Sequence, residues 1–210
     1  MPALFILATA AAVLAVLLVP FSLLVNFLPL QRLLLVLVGT TGGTAPRFGV
    51  AEASHRVTDL LTFLAIRRPL PNDGFYSPVE LAHMGDVQVI FQVVYLTALV
   101  SCVLAIVLVA VLRRKKRDIR PVTRAAGITV LAVVAALATT SITVGFDALF
   151  ITFHELAFSN DFWLLPEDSG LIRLFPENYF MSYFFIALAA SVIAALLLTI
   201  LSRRRPARRL

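Results

Sequence analysis

The stretch VQVIFQVVYLTALVSCVLAIVLVAVLRRKKR, Val87 to Arg117, decides the fold. Its first part, Val87 to Leu112, contains no charged side chain, and about 20 apolar residues suffice for a helix to cross a bilayer core of about 30 Å. Five consecutive cations, Arg113 to Arg117, then close it. A long apolar run stopped by a basic cluster is a transmembrane helix meeting the cytoplasmic surface, where Lys and Arg are retained.

Working outward, the same length criterion finds three further runs, so the expected spans are about residues 3–26, 87–112, 125–146 and 180–201. The first run has no Lys or Arg before it and is longer than the apolar region of a signal peptide, so it reads as a span rather than a cleaved leader. The expected fold is an all-α membrane protein with four transmembrane helices, cytoplasmic N- and C-termini, and a small extracytoplasmic domain or cap. One integral membrane domain covers residues 1–210, with outer segments at about 27–86 and 147–179, an inner basic loop at 113–124 and a tail at 202–210. Composition agrees, since 60% of the 210 residues are hydrophobic and only 14% charged, against about 25% charged in soluble domains.

Location explains the net charge of +6. Twelve of the eighteen basic residues lie in the inner loop and tail, whereas every acidic residue except Asp118 falls on or near the other side. The inner side is therefore strongly positive and the outer side negative. The surplus of cations sets orientation and meets anionic lipid; it does not indicate a nucleic-acid partner. Aromatic residues, Tyr76, Trp163, Tyr179 and Tyr183 among them, gather at the outer boundary, as rings with a polar edge do.

The first outer segment is long enough for a small folded element. It holds an apolar stretch at Leu33 to Val38, a Gly-rich turn at Gly39 to Gly43, and a predicted helix from Val50 to Ile66. In that helix Val57, Leu60, Leu61 and Leu64 recur at helical spacing. Pro69, Pro71 and Asn72-Asp73-Gly74 end it in a turn.

Ionisable groups beside a span are costly and point to function. Ser77 followed by Glu80 forms a capping box that opens the helix of the second span, and Glu80, His83 and Asp86 then share one face. A carboxylate at that spacing can hold an imidazole in one tautomer, which makes Glu80 and Asp86 candidate orienting groups for His83. His154 follows the third span by about two turns, seven residues after Asp147. If the second and third spans are antiparallel neighbours, the two histidines lie at one depth and can meet over the outer leaflet. An imidazole titrating near 6.5 suits proton transfer in acyl transfer near neutral pH. The bland alternative is a pair of interfacial side chains with wet tips. A metal site would draw on His83, His154, Glu80, Asp86 and Glu155, but His154-Glu155 lacks the second histidine of HExxH, since Phe158 stands there. No metal or other cofactor is expected. The single cysteine, Cys102, is some sixteen residues beyond Asp86, about 24 Å along a helix, and cannot serve these histidines as nucleophile.

At these residues the chain resembles a known family. Glu80-Leu81-Ala82-His83-Met84-Gly85-Asp86-Val87, read E-L-x-H-M-x-D-V, is similar to one signature of the lipoprotein intramolecular transacylases, called Lit. Phe153-His154-Glu155-Leu156-Ala157-Phe158-Ser159-Asn160-Asp161-Phe162-Trp163, followed by Leu171-Ile172-Arg173-Leu174-Phe175-Pro176, is similar to the second. The resemblance implies a multi-pass enzyme of the bacterial cytoplasmic membrane, with its site facing the outer leaflet. Such an enzyme moves an acyl chain of a diacylglyceryl-modified lipoprotein from glycerol to the α-amino group of the N-terminal cysteine, giving the lyso form. It implies His83 and His154 as the catalytic pair, with Asp86, Glu80 and Glu155 as supporting groups and Tyr76, Asn160, Asp161, Trp163 and Arg173 as candidate substrate contacts. The expected partners are the lipoprotein substrate and membrane lipids. Two other readings stand beside it: a non-catalytic membrane protein that binds a partner through its outer segments, and a metal-dependent membrane hydrolase.

Overall fold

The computed structural model describes residues 2–41 and 49–203. The described residues form eight helices and no strand: α1 Pro2–Val25, α2 Leu28–Thr41, α3 Val50–Ile66, α4 Pro78–Arg114, α5 Arg120–Thr143, α6 Phe146–Ala157, α7 Gly170–Leu174 and α8 Glu177–Arg203. Four of them, α1, α4, α5 and α8, are long and apolar enough to cross a membrane. The expected all-α, four-helix membrane fold is what the chain adopts. The Gly-rich turn at Gly39 to Gly43 runs into residues 42–48, and Arg204 to Arg209 of the basic tail lie beyond 203; both fall outside the described residues.

The chain divides into two compact units. One comprises Met1–Ser22, Val94–Ala138 and Ala187–Leu210. In lipid, helices gain little from hiding apolar surface and pack instead where small side chains let backbones approach. Here Ala126, Val130 and Ala195 are fully buried, and a Cβ at Gly127 would stand 2.6 Å from the Thr199 side chain and 3.0 Å from the Ala195 carbonyl. Outward-facing Ile106, Val107, Ile193 and Leu197 stay exposed. That pattern suits a hydrocarbon solvent.

The other unit comprises Leu23–Val93 and Thr139–Ile186. Its core is a continuous apolar cluster: Leu34 and Val38 of α2, Val57, Leu60 and Leu64 of α3, Met84 of α4, Leu171 and Leu174 of α7, then Phe175 and Tyr179. Helix α3 covers the residues for which periodicity predicts it and buries Val57, Leu60 and Leu64. Its C-terminal carbonyls, short of donors at a helix end, are met by two glutamines one turn apart on α4; that of Phe63 also takes the Arg67 N–H. Gln88 Nε2 donates to the Phe63 carbonyl at 2.6 Å, and Gln92 Nε2 donates to those of Leu64 and Ala65. At the break between α1 and α2, buried Gln31 donates to the Leu24 and Val25 carbonyls at 2.8 and 2.9 Å and accepts from the Tyr179 hydroxyl.

The capping box forms as read. Ser77 N–H donates to Glu80 Oε2 at 2.8 Å, and Glu80 N–H to Ser77 Oγ at 3.3 Å. Beside it the short helix α7, capped by Ser169, docks on the Phe75 backbone. A Cβ on Gly170 would stand 2.6 Å from the Phe75 carbonyl oxygen and 2.9 Å from its ring. Gly170→Ala should therefore push α7 off its seat at a cost of about 1–3 kcal/mol, the usual range for overpacking, read as a lower unfolding midpoint in detergent.

One boundary differs from expectation. The apolar run of the third span reaches Phe146, but α5 stops at Thr143, and a new helix, α6, begins at Phe146. Gly145 takes φ 98°, a left-handed conformation open to glycine, which lets the chain leave one helix and start another. His154 accordingly sits on α6 and not on an extension of the span.

Candidate active site

Four-residue spacing on α6 builds half of the site. Phe150 and His154 lie one turn apart, and His154 Nδ1 is 2.7 Å from the Phe150 carbonyl oxygen. A carbonyl only accepts, so Nδ1 carries the hydrogen and the neutral ring presents an unprotonated Nε2. Burial holds the His154 imidazole below its ordinary value, while the Phe150 carbonyl opposes this by favouring the charged ring. Nε2 is thus a free lone pair near neutral pH.

The other half comes from α4. The capping box starts the helix, and His83 follows three residues after Glu80, with only 8% of its surface exposed; His154 has 7%. The two imidazole centroids are 6.1 Å apart, with their planes inclined by 33°. Aromatic rings wall the pair. Phe158 stands 5.0 Å from His83 and 5.5 Å from His154, centre to centre. Trp163 lies 5.1 Å from His154, with Phe150 at 4.2 Å and Phe153 at 5.2 Å. The site is two buried imidazoles in an apolar box, where a polar interaction with a reacting group is stronger than in water.

The supporting roles come out differently. Glu80 is 2% exposed, and neither carboxylate oxygen serves His83: Oε2 takes the Ser77 N–H, and Oε1 takes the Leu171 N–H at 2.7 Å. Asp86 Oδ2 accepts from Asn160 Nδ2 at 3.0 Å. His83 Nδ1 is buried without a hydrogen-bond partner, so the expected carboxylate-imidazole pair does not form on this ring. The reason is that the face shared by Glu80 and His83 meets α7 and the loop after α6, which compete for the carboxylates. Glu155, the next residue on α6, is exposed where His154 is buried, so it does not join the site rings. Tyr76 lies in the core cluster against Phe75 and not among the site rings; burial raises its phenol well above the ordinary range. Of the other candidates, Trp163 is brought to His154, Asn160 ties its loop to Asp86 while accepting from the Phe162 N–H, Asp161 is exposed, and Arg173 is half-buried on α7. Sequence reading missed the Phe150 carbonyl and Phe158. The first was visible as the residue four before His154 on a helix.

A family model described as lipoprotein intramolecular transacylase Lit matches residues 6–180. The chain belongs to the Lit family. Lit is by its family an acyltransferase, an intramolecular transacylase of lipoproteins, and with four apolar helices this chain is a multi-pass membrane protein. The fold agrees with the membrane-integral Lit of Bacillus cereus, solved in meso: TM-score 0.86 at 19% identity, covering 96% of this chain and 94% of that one. Two variants of that protein, each with one histidine replaced, by arginine and by alanine, superpose with TM-score 0.78 at 18% identity, covering 90% and 91% of their chains. No curated protein sequence matches the chain.

Proposed function

We propose that His83 and His154 carry out the transacylase reaction on a diacylglyceryl-modified lipoprotein, moving one acyl chain from glycerol oxygen to the α-amino nitrogen of the N-terminal cysteine. The observation that supports it best is the pairing of two buried imidazoles at 6.1 Å, one with its tautomer fixed by the Phe150 carbonyl. The substrate supplies both nucleophile and electrophile, so the enzyme has only to position them and manage one proton. The amine nitrogen attacks the ester carbonyl, and His154 Nε2 takes its proton. The His83 N–H donates to the ester as the tetrahedral intermediate forms. When the carbon–oxygen bond to glycerol breaks, the proton held by His154 passes to the departing oxygen. An ester and an amine become an alcohol and an amide, with no net proton exchanged with water.

The same reading places the site over the outer leaflet of the bacterial cytoplasmic membrane and the termini in the cytoplasm. It rests on the cations Arg113 to Arg117 closing the second span at the end opposite His83.

The test is mass spectrometry of a model lipoprotein's N-terminal peptide from cells making this protein. An N-acyl, monoacylglyceryl peptide is the expected product. An unaltered diacyl peptide with a free amine would sink the proposal.

A pH profile follows from the buried His154. Its ring binds a proton less readily in the folded chain than in the unfolded one, so activity should hold through neutral pH and fall only on the acid side, with a midpoint below the ordinary value of 6.5. Stability should fall in the same direction, because below about 6.5 the unfolded chain binds the proton first. Acyl transfer in detergent micelles, followed against pH, reads the first; an acid limb centred above 6.5 would contradict it.

A further inference from the structure

The structure assigns a second lipid site, for an anionic glycerophospholipid, to the α2–α3 hairpin, and it is independent of acyl transfer. A groove of about 290 Å³ runs between the start of α2 and the end of α3, lined by Asn26, Leu28, Leu61, Thr62, Ala65 and Ile66. Its threonines spend their hydroxyl hydrogens on their own helix: the Thr58 and Thr62 hydroxyls donate back to the carbonyls of Ser54 and Thr58 at 2.8 and 2.7 Å. The rim is apolar, with Phe27 55% and Ile66 74% exposed.

Three arginines stand at this end of the hairpin. Arg67 and Arg68 directly follow Ile66, and Arg32 is one turn past Leu28 on the same face of α2. All three are exposed, and among the described residues none pairs with a carboxylate. Arg56, by contrast, is tied to Asp73 and Glu52. On a side of the protein that is otherwise acidic, three unpaired guanidinium groups complement an anion.

Depth identifies the anion. The carbonyls that end α3 are held by Gln88 and Gln92, in the first turns of the apolar run of α4. Arg67, one residue past α3 with φ 60°, therefore sits at the level where that span enters hydrocarbon. Arg32 lies fewer than ten residues past Val25, the end of α1. Two different span ends thus put the arginines at headgroup level and the groove beside the upper acyl chain. A phosphodiester with an attached acyl chain matches both halves: guanidinium forks bind phosphate oxygens, and the groove takes the chain.

The test uses the full chain in phosphatidylcholine vesicles containing a trace of phosphatidylglycerol with a diazirine in one acyl chain. Illumination should label peptides covering 26–32 and 58–68, with a matched phosphatidylcholine probe labelling them several-fold less. The triple variant Arg32→Gln, Arg67→Gln, Arg68→Gln should lose at least about tenfold of that labelling, since each cation near a membrane surface contributes roughly a fivefold preference for anionic lipid. Ala65→Phe, which fills the groove, should lose it with all three arginines in place. Raised salt should weaken labelling of the parent chain, a readout that needs no mutation. Equal labelling by the phosphatidylcholine probe, or undiminished labelling in either variant, would overturn the assignment.

Discussion

Replacing His154 with asparagine is expected to lower N-acyl product formation by about 10²–10⁴-fold, the contribution of a positioned acid–base group. Asparagine keeps an N–H able to face the Phe150 carbonyl and is no larger than the imidazole it replaces, so the aromatic box of Phe150, Phe153, Phe158 and Trp163 has little reason to collapse. What it lacks is the basic Nε2. His83→Asn should cost a comparable factor. Because both rings serve one proton transfer, the double variant should fall little below either single one, a non-additivity that independent structural lesions would not show. The measurement is the fraction of N-acylated peptide formed per unit time by purified variants at equal folded concentration. Full activity in both single variants would remove the pair from the mechanism.

Glu80→Ala is expected to cost about 3 kcal/mol or more of stability, and acyl transfer with it. The carboxylate is 2% exposed and accepts two backbone N–H groups, from Ser77 and from Leu171 ninety-one residues later. Hydrogen bonds to a charged group contribute about 1.5–3 kcal/mol each, and alanine would leave both donors without an acceptor. The second bond joins the start of α4, which carries His83, to α7, so its loss should loosen the approach of the segment holding His154. Glu80→Gln retains one acceptor and should fall between the parent and alanine. Unfolding in detergent gives the stability, and the same preparations give the rate. A Glu80→Ala chain as stable as the parent would show that the tie carries no load.

Glu80 also shows how far the sequence could be read. Its place three residues after Ser77 made it a helix cap, and it is one. The same spacing suggested a partner for His83, and there the reading failed. Helical periodicity reports which residues share a face on one helix; it does not report what another segment brings to that face. The Leu171 N–H claimed one oxygen of Glu80, and Asn160 claimed one of Asp86. The break at Gly145 was missed for a related reason. Hydropathy is continuous through Phe146, while the turn depends on one backbone angle that glycine permits but does not require.

The sequence by itself determined the four apolar helices, because crossing a bilayer demands a length and a composition that nothing else in a chain supplies. It determined α3 through local spacing, and it carried two histidine motifs that resemble signatures of the family. Only the tertiary structure decided that the histidines stand 6.1 Å apart, that the Leu171 N–H takes one oxygen of Glu80, and that the Asn160 amide takes one of Asp86. Those depend on contacts between segments seventy or more residues apart. Burial and competition for hydrogen bonds settle such contacts, and neither is written in local sequence.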